Sequence, residues 1–200
     1  MKESYLTLAG SGTSELRDRG SKFLGFAFPL SSATEARAIL AKMRAEHPKA
    51  NHHCLAYRLG EDFRASDDGE PAGSAGRPML GALDTAGLNQ VGALVVRYFG
   101  GTLLGVPGLI HAYKTCVADA LAGIERIEKW VELPYRITCN YDHLGDVLRV
   151  LRTLEATVIS QDLQLFCTVN AGVRIGTQES FKAALQDFKG VTVDTGKVFP

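Results

Sequence analysis

The segment Val91–Phe99 (VGALVVRYF) constrains the fold more than any other part of the sequence. It is almost continuously apolar and rich in β-branched residues, and Gly100 and Gly101 follow it directly. A strand with one face in water would alternate apolar and polar side chains, whereas a strand covered on both faces has no need to. The segment is therefore predicted to be a buried strand that ends at the two glycines.

Shorter periodic segments on either side of this strand predict a mixed α and β domain. Apolar residues recur at three and four positions within Thr34–Glu46 and again after Ser74, a candidate helix cap. The segment Glu61–Gly73 is acidic and rich in turn formers, so it predicts a long loop. The predicted strands are Ser21–Pro29, His53–Leu59 and Val91–Phe99, and the predicted helices are Thr34–Glu46, Ser74–Thr85 and Pro107–Ala122.

A second domain is predicted after the charged stretch at residues 123–133, with the boundary near Lys129. The 200 residues are enough for two compact domains, which we assign to residues 1–129 and 130–200. The second has the order βαββαβ, the ferredoxin-like arrangement, so the fold class is α+β. Its predicted elements are strand Val131–Asn140, helix His143–Leu154, strands Thr157–Asp162 and Gln164–Arg174, helix Gln178–Phe188 and strand Val191–Val193.

Composition excludes several classes of protein. Lysine and arginine together number 22, as do aspartate and glutamate, so no global field attracts nucleic acid or an anionic membrane. No apolar run approaches the roughly 20 residues of a membrane span, and the first twenty residues lack a signal-peptide core. The cysteines are widely spaced and form no C-x-x-C pair, which favours reduced thiols. We expect a cytoplasmic protein that holds neither a metal nor a cofactor.

The glycine-rich stretch GGTLLGVPG, which begins at Gly100, has two interpretations. A strand that runs into glycines and then into a helix aims backbone amides at an anion, and Arg97 and Lys114 flank this stretch. The same glycines also suit a tight turn with close packing and no ligand. Gly105 completes the outer glycines of a nucleotide-binding loop, but Val106 and Pro107 replace its lysine and hydroxyl. Hydrolysis of ATP or GTP is not expected.

A second group of polar residues raises the alternative of metal-assisted hydrolysis. The loop that holds Asp67, Asp68 and Glu70 is dense in oxygen donors, and His53 precedes it. The spacing of the acids does not match a calcium loop, and a structural turn with one carboxylate capping a helix or bonding backbone amides is favoured. Arg58, Arg64 and Arg77 either face an anion or pair with nearby acids, and the sequence favours pairing.

Three stretches taken together resemble the YigZ/IMPACT family: NHHCLAYR from Asn51, SDDGEPAGSAGRP from Ser66 and VVRYFGGTLLG from Val95. The chain looks like the bacterial, two-domain form. The resemblance implies a first domain with the fold of the second domain of ribosomal protein S-five. It also implies a second domain similar to the ferredoxin-like domains of elongation factor G, and it links the family to regulation of translation.

These observations favour a non-catalytic protein that binds RNA, the ribosome or translation factors. In this hypothesis the glycine turn holds one or two phosphates. The hydrolase that uses His53, Asp67, Asp68 and Glu70 is one alternative, and a regulator that only binds proteins is another. The predicted anion-binding residues are Lys22, Arg77, Arg97, Gly100, Gly101, Gly105 and Lys114.

Overall fold

The structure is a computed structural model that describes residues 3–195. The chain divides into two compact units, residues 6–129 and residues 130–195 together with residues 3–5. Each unit combines helices with β-sheet, so the mixed α and β character predicted from the sequence is confirmed. Among the described residues, no helix is both long enough and apolar enough to cross a membrane.

The larger unit is built on a five-stranded antiparallel sheet in the order β2-β3-β6-β4-β5. Three helices follow strands of this sheet along the chain. The strands are β2 (Gly12–Asp18), β3 (Ser21–Pro29), β4 (His52–Leu59), β5 (Asp62–Ser66) and β6 (Val91–Tyr98), and the helices are α1 (Ala33–Glu46), α2 (Gly76–Thr85) and α3 (Gly105–Leu121). Two further strands, β1 (Ser4–Leu8) and β7 (Arg126–Trp130), form a separate two-stranded sheet.

Strand β6 is the centre of this unit, as its apolar sequence predicts. Its residues from Val91 to Arg97 are all buried. Val91, Ala93 and Val95 belong to one core cluster together with residues of α2 and α3. Leu94 and Val96 point the other way, into a cluster with Ala36 and Met43 of α1. The residues from Val91 to Val96 are therefore uncharged and almost all apolar, because helices cover both faces of the strand, and the buried Arg97 that follows them is charged.

The structure corrects the predicted elements in several places. The acidic segment predicted as a loop contains β5, and β1, β2 and β7 were not predicted at all. Helix α2 begins at Gly76, and Ser74 does not cap it, because the Ser74 hydroxyl donates to the carbonyl of Pro71. Helix α3 begins at Gly105, so Pro107 lies inside its first turn, where a missing N–H breaks no helical hydrogen bond.

The smaller unit has the element order βαββαβ that the sequence predicts. Its four strands form an antiparallel sheet in the order β11-β8-β10-β9. Val147 and Leu151 of the first helix and Phe181 of the second are buried against Ile137 and Val169 of the sheet. The elements are β8 (Glu132–Cys139), α4 (Tyr141–Thr153), β9 (Thr157–Leu163), β10 (Cys167–Arg174), α5 (Gln178–Gln186) and β11 (Thr192–Thr195).

Two glycines bring neighbouring turns of the larger unit into direct contact. Gly20 closes the turn between β2 and β3 with a φ of 80°, which favours glycine, and Gly100 follows β6. A methyl group added at Gly100 would lie only 1.8 Å from the carbonyl carbon of Gly20. The glycine-rich turn is thus tightly packed at its first residue, whereas a methyl group at Gly101 would meet no atom within 4 Å.

We predict that Gly100→Ala lowers the free energy of unfolding by about 1–3 kcal/mol, the usual cost of forcing atoms into a packed site. Gly81→Ala is the matched control, because Gly81 lies inside α2 and an added methyl group would touch nothing there. It should stabilise the protein by about 0.5–1 kcal/mol through helix propensity. Urea denaturation of both variants tests this contrast, and equal stability of the two would contradict it.

Candidate binding site at one end of the larger sheet

The three sequence stretches that carry the family resemblance meet at one end of the larger sheet. At this end β4 begins with His52, and β5 and β6 finish at Ser66 and Tyr98. The chain then turns into the segments that lead to α2 and α3. We call the region formed by residues 18–22, 50–54, 66–76 and 97–106 the motif end.

Asp67 caps helix α2. Its Oδ2 accepts a hydrogen bond from the amide of Gly73 (2.8 Å), and its Oδ1 accepts from those of Ala75 (3.0 Å) and Gly76 (2.8 Å). Burial alone would raise the pKa of this carboxyl, but the three amide hydrogen bonds outweigh it and hold the pKa below its usual range. The prediction that one carboxylate of the acidic loop caps a helix is confirmed.

Asp68 holds three segments together. Its side chain accepts from Arg44 Nη2 of α1 (2.7 Å) and from the backbone amide of His53 (2.6 Å). Its carbonyl accepts from Nδ1 of His52 at 2.9 Å. The φ of Asp68 is 43°, a strained backbone conformation for a non-glycine residue, and these contacts maintain it.

Glu70 and Arg97 form a buried ion pair beneath the glycine turn. Arg97 Nη1 donates to Glu70 Oε1 at 2.6 Å, and the hydroxyl of Tyr113 donates to the same oxygen at 2.7 Å. The side chains of Arg97 and Glu70 are only 5% and 3% exposed. The guanidinium also lies against the rings of Phe23 and Phe99. Arg97 is therefore an internal counter-ion of Glu70 rather than a free cation at the surface.

Of the four residues predicted for a hydrolase, the structure brings His53 and Asp68 together, with 3.9 Å between Nδ1 and Oδ2, and the three acids have separate partners. Asp67 binds the amides of α2, Asp68 binds Arg44, and Glu70 binds Arg97. The pKa of His53 is lowered, chiefly because the ring is buried. Within residues 3–195, no group of three or more histidine, cysteine, aspartate or glutamate side chains has the geometry to hold a metal ion.

The buried thiol and phenol of this region are poor nucleophiles. Burial raises the pKa of the Cys54 thiol to about 12, and its Sγ lies 3.1 Å from the carbonyl of Asp67. Burial also raises the pKa of Tyr113. A thiolate or phenolate is the reactive species, so both groups are held in their unreactive form at neutral pH.

The amides of the glycine turn fall into two groups. Those of Phe99 and Gly100 donate to Asn51 Oδ1 (2.8 Å) and Ser21 Oγ (3.2 Å). From Gly101 to Val106 the amides have no acceptor among the residues that the structure describes, and no side chain caps α3. These residues are exposed apart from Leu104. The second half of the turn thus presents free N–H groups to the solvent.

The basic residues predicted to bind an anion are scattered. Lys22 lies at the motif end, opposite Tyr98, and pairs with the exposed Glu15 at 2.9 Å. Arg77 is exposed in the first turn of α2, and its positive charge helps to lower the pKa of Asp67. Lys114 is nine residues beyond the start of α3, roughly 13 Å along the helix, so it is remote from the turn.

Sequence reasoning missed Arg19, an exposed residue beside the glycine turn. It precedes Gly20, whose carbonyl packs on Gly100, and it has a φ of 45°. No acidic side chain among residues 3–195 pairs with it. The residues Asp18, Arg19 and Gly20 are typical of a turn between two strands. Because β2 was not predicted, this turn and the position of Arg19 were not predicted either.

We predict that Asp67→Asn destabilises the protein by about 1 kcal/mol at pH 7, as expected for a weakened helix cap. Because the folded pKa of Asp67 is lowered, its contribution is present above the unfolded pKa of about 3.9 and is lost as the pH falls through the folded pKa. The difference in the free energy of unfolding between wild type and variant should therefore become smaller below about pH 4. Urea denaturation at several pH values measures it, with Asp62→Asn on the exposed strand β5 as control.

We predict that Glu70→Leu and Arg97→Met each lower the free energy of unfolding by about 3–5 kcal/mol, because each leaves a buried charge uncompensated. In the double variant, the loss in the free energy of unfolding should be much smaller than the sum of the two single losses, because both charges are then absent. Breaking the exposed Lys42–Glu46 pair of α1 is the control and should cost less than about 0.5 kcal/mol. Additive losses for Glu70 and Arg97 would contradict the coupling.

Comparison with known proteins agrees with the resemblance seen in the sequence. Residues 19–121 match the family described as the Impact N-terminal domain. The IMPACT family member YigZ of Escherichia coli (strain K12) is 35% identical over 191 residues, which cover 93% of this chain and 94% of YigZ. The protein IMPACT homolog of Saccharomyces cerevisiae is 34% identical over 108 residues, which cover 50% of this chain and 41% of that protein.

A solved structure described as that of a hypothetical protein has the same fold along nearly the whole chain. It is 33% identical, has a TM-score of 0.76 and covers 98% of this chain and 99% of its own. The match to the Impact N-terminal domain spans about half of the chain, and the match to YigZ spans almost all of it. This chain therefore belongs to the IMPACT family, and it is similar to the bacterial member YigZ over its two compact units.

Proposed function

We propose that this protein is a non-catalytic, cytoplasmic binding protein linked to regulation of translation, and that its glycine turn binds a phosphate of RNA. The observation that carries the proposal is the run of amides from Gly101 to Val106, which has no acceptor in the described chain and belongs, apart from Leu104, to exposed residues. They lie at the start of the 17-residue helix α3. Amides at the start of a helix attract anions through their N–H groups and the helix dipole.

The contrast with α2 supports this reading of the turn. Both helices follow strands that end at the motif end, so both present amides there. Those of α2 are satisfied by the carboxylate of Asp67, whereas no carboxylate among residues 3–195 caps α3. An RNA phosphate at α3 would occupy the position that Asp67 occupies at α2.

Local charge also favours an anionic ligand. Arg19, in the turn that touches Gly100, is exposed and has no ion-pair partner within the described residues, and Lys22, two residues beyond Gly20, pairs with the exposed Glu15. The free amides include those of Gly101 and Gly105, two of the predicted binding residues. Arg97 supports the turn from below, since Ser21 Oγ is shared by its Nη2 (3.3 Å) and by the amide of Gly100 (3.2 Å). We assign the contact with phosphate to the amides, to Arg19 and to Lys22.

The link to translation rests on the resemblance stated above. In this proposal the two units correspond to the domains predicted at residues 1–129 and 130–200, except that residues 3–5 group with the second unit. The first has the fold of the second domain of ribosomal protein S-five, and the second is ferredoxin-like. The order β11-β8-β10-β9 with two helices on one side agrees with the latter. Fold likeness does not establish a site, so the argument for RNA depends on the turn itself.

The geometry favours binding over hydrolysis. Each acid of the predicted hydrolytic set is already bound by amides or a cation, and a metal would have to displace these partners. A regulator that binds only proteins remains the competing function, because Leu103 is 82% exposed and Phe99 and Val106 are about half exposed. The experiments below distinguish binding through these apolar side chains from binding through the amides.

We predict that the protein binds single-stranded RNA at low salt with a shallow salt dependence. With one or two phosphates engaged, the logarithm of the affinity should fall with slope between about −0.7 and −1.4 against the logarithm of salt concentration. Arg19→Glu should weaken binding about five- to tenfold, and the loss should shrink at high salt. Arg37→Glu on α1 is the control, since Arg37 is equally exposed but lies outside the motif end. Absence of binding to both single-stranded and structured RNA would overturn the proposal.

We predict that Leu103→Asp weakens RNA binding by about tenfold, because a carboxylate beside the free amides of α3 competes with phosphate. It should not lower the melting temperature, since an acid before a helix start is stabilising. Leu103→Asn has the same shape without the charge, so it should change RNA binding much less. If both variants lose binding equally, the apolar side chain rather than the amides makes the contact, and the phosphate assignment is wrong.

A further inference from the structure

A second candidate site lies on the larger unit between the last turns of α2 and α3. A cavity of about 380 Å³ opens there. Its floor includes the buried side chains of Ala82 and Leu121, and its walls include Ala86 and Ala118. Lys114 and Arg126 complete the lining. The cavity is therefore apolar inside, with two cationic groups around it. We call it the α2–α3 cavity.

Neither cation of the α2–α3 cavity is neutralised by an acidic side chain of the described residues. No ion pair with Lys114 or Arg126 occurs within residues 3–195. Asp84, in the last turn of α2, is held away by two hydrogen bonds from Arg58, at 2.6 and 3.1 Å. Arg126 reaches the carbonyl of Ala86 only at 3.5 Å, longer than an ordinary hydrogen bond. Most of the N–H groups of both cations remain available to a ligand.

Size selects the kind of ligand. The cavity volume is within the range of small-molecule sites, about 300–1,000 Å³. Ala82 and Ala86 are one helical turn apart, and Lys114 and Ala122 span roughly 12 Å of α3. A groove of that length covers only two turns of a docking helix, which is too little for a stable peptide interface. A compact molecule fits it better.

We propose that the α2–α3 cavity binds a small amphiphilic anion, with an apolar body on the alanine walls and a carboxylate held by Lys114 and Arg126. Burial of the apolar body contributes about 25 cal/mol per Å² removed from water. The two cations fix the position of the charged group and exclude neutral molecules of similar shape. This site is independent of the glycine turn, since Lys114 lies about two and a half helical turns from the start of α3.

Octanoate is a suitable probe, with acetate and octan-1-ol as partial ligands that carry only the charge or only the apolar chain. We expect saturable binding of octanoate by nuclear magnetic resonance titration, with shifts at Lys114, Ala118 and Arg126, and at least tenfold weaker binding of either partial ligand. Lys114→Gln and Arg126→Gln should each weaken octanoate binding about three- to fivefold. Lys42→Gln on α1 should have no effect, since Lys42 is exposed elsewhere.

Ala118→Leu tests the cavity without touching charge. Ala118 is exposed at the cavity wall, so a larger side chain should fill the space and leave the fold intact. We expect this variant to keep the wild-type melting temperature and to lose octanoate binding. The proposal is overturned if octanoate gives no saturable shifts, or if its affinity is unchanged in Ala118→Leu or in the double glutamine variant. RNA binding at the glycine turn should persist in all of these variants.

Discussion

The buried ion pair between Glu70 and Arg97 is the interaction on which the motif end depends. Two charges removed from water are costly unless each finds its partner and further hydrogen bonds, and here Tyr113 and Ser21 supply them. The pair joins the loop after β5 to the end of β6, 27 positions apart in the chain. Through Ser21 it also fixes the first amide of the glycine turn. The shape of the turn is thus set from inside the protein.

The polar residues of the family motifs have structural roles in the hydrogen-bond network of the motif end. Asn51 satisfies the amide of Phe99, and Asp67 satisfies three amides at the start of α2. Asp68 binds α1 to β4. Side chains so fully engaged are poor general bases or metal ligands, because any new partner must first break an existing bond. Within the described chain, the network leaves the backbone amides from Gly101 to Val106 without an acceptor.

The sequence predicted those parts of the structure that local pattern determines. Strand β6 was predicted to within one residue because helices cover both of its faces and its run from Val91 to Val96 is almost continuously apolar. Strand β2 has seven residues, of which only Leu16 has a large apolar side chain. Its own sequence therefore does not predict a strand, and the strand forms through its pairing with β3. The partners of Arg97 and the position of Arg19 depend on long-range pairing, which no local pattern specifies. Lys114 was assigned to the turn because it is close in sequence, but the rise of helix α3 places it roughly 13 Å from the start of the helix.

Charge compensation explains how an acidic motif can leave room for an anion. Asp67, Asp68 and Glu70 would together make the motif end strongly negative if they were free. Asp67 instead faces the positive end of α2, Asp68 faces Arg44, and Glu70 faces Arg97, so each acid has its own local counter-charge. Arg19 and the start of α3 have no such counter-charge in the described chain. Arg19 and the amides at the start of α3 are therefore the positive groups that remain at the turn, although the chain as a whole carries no net charge.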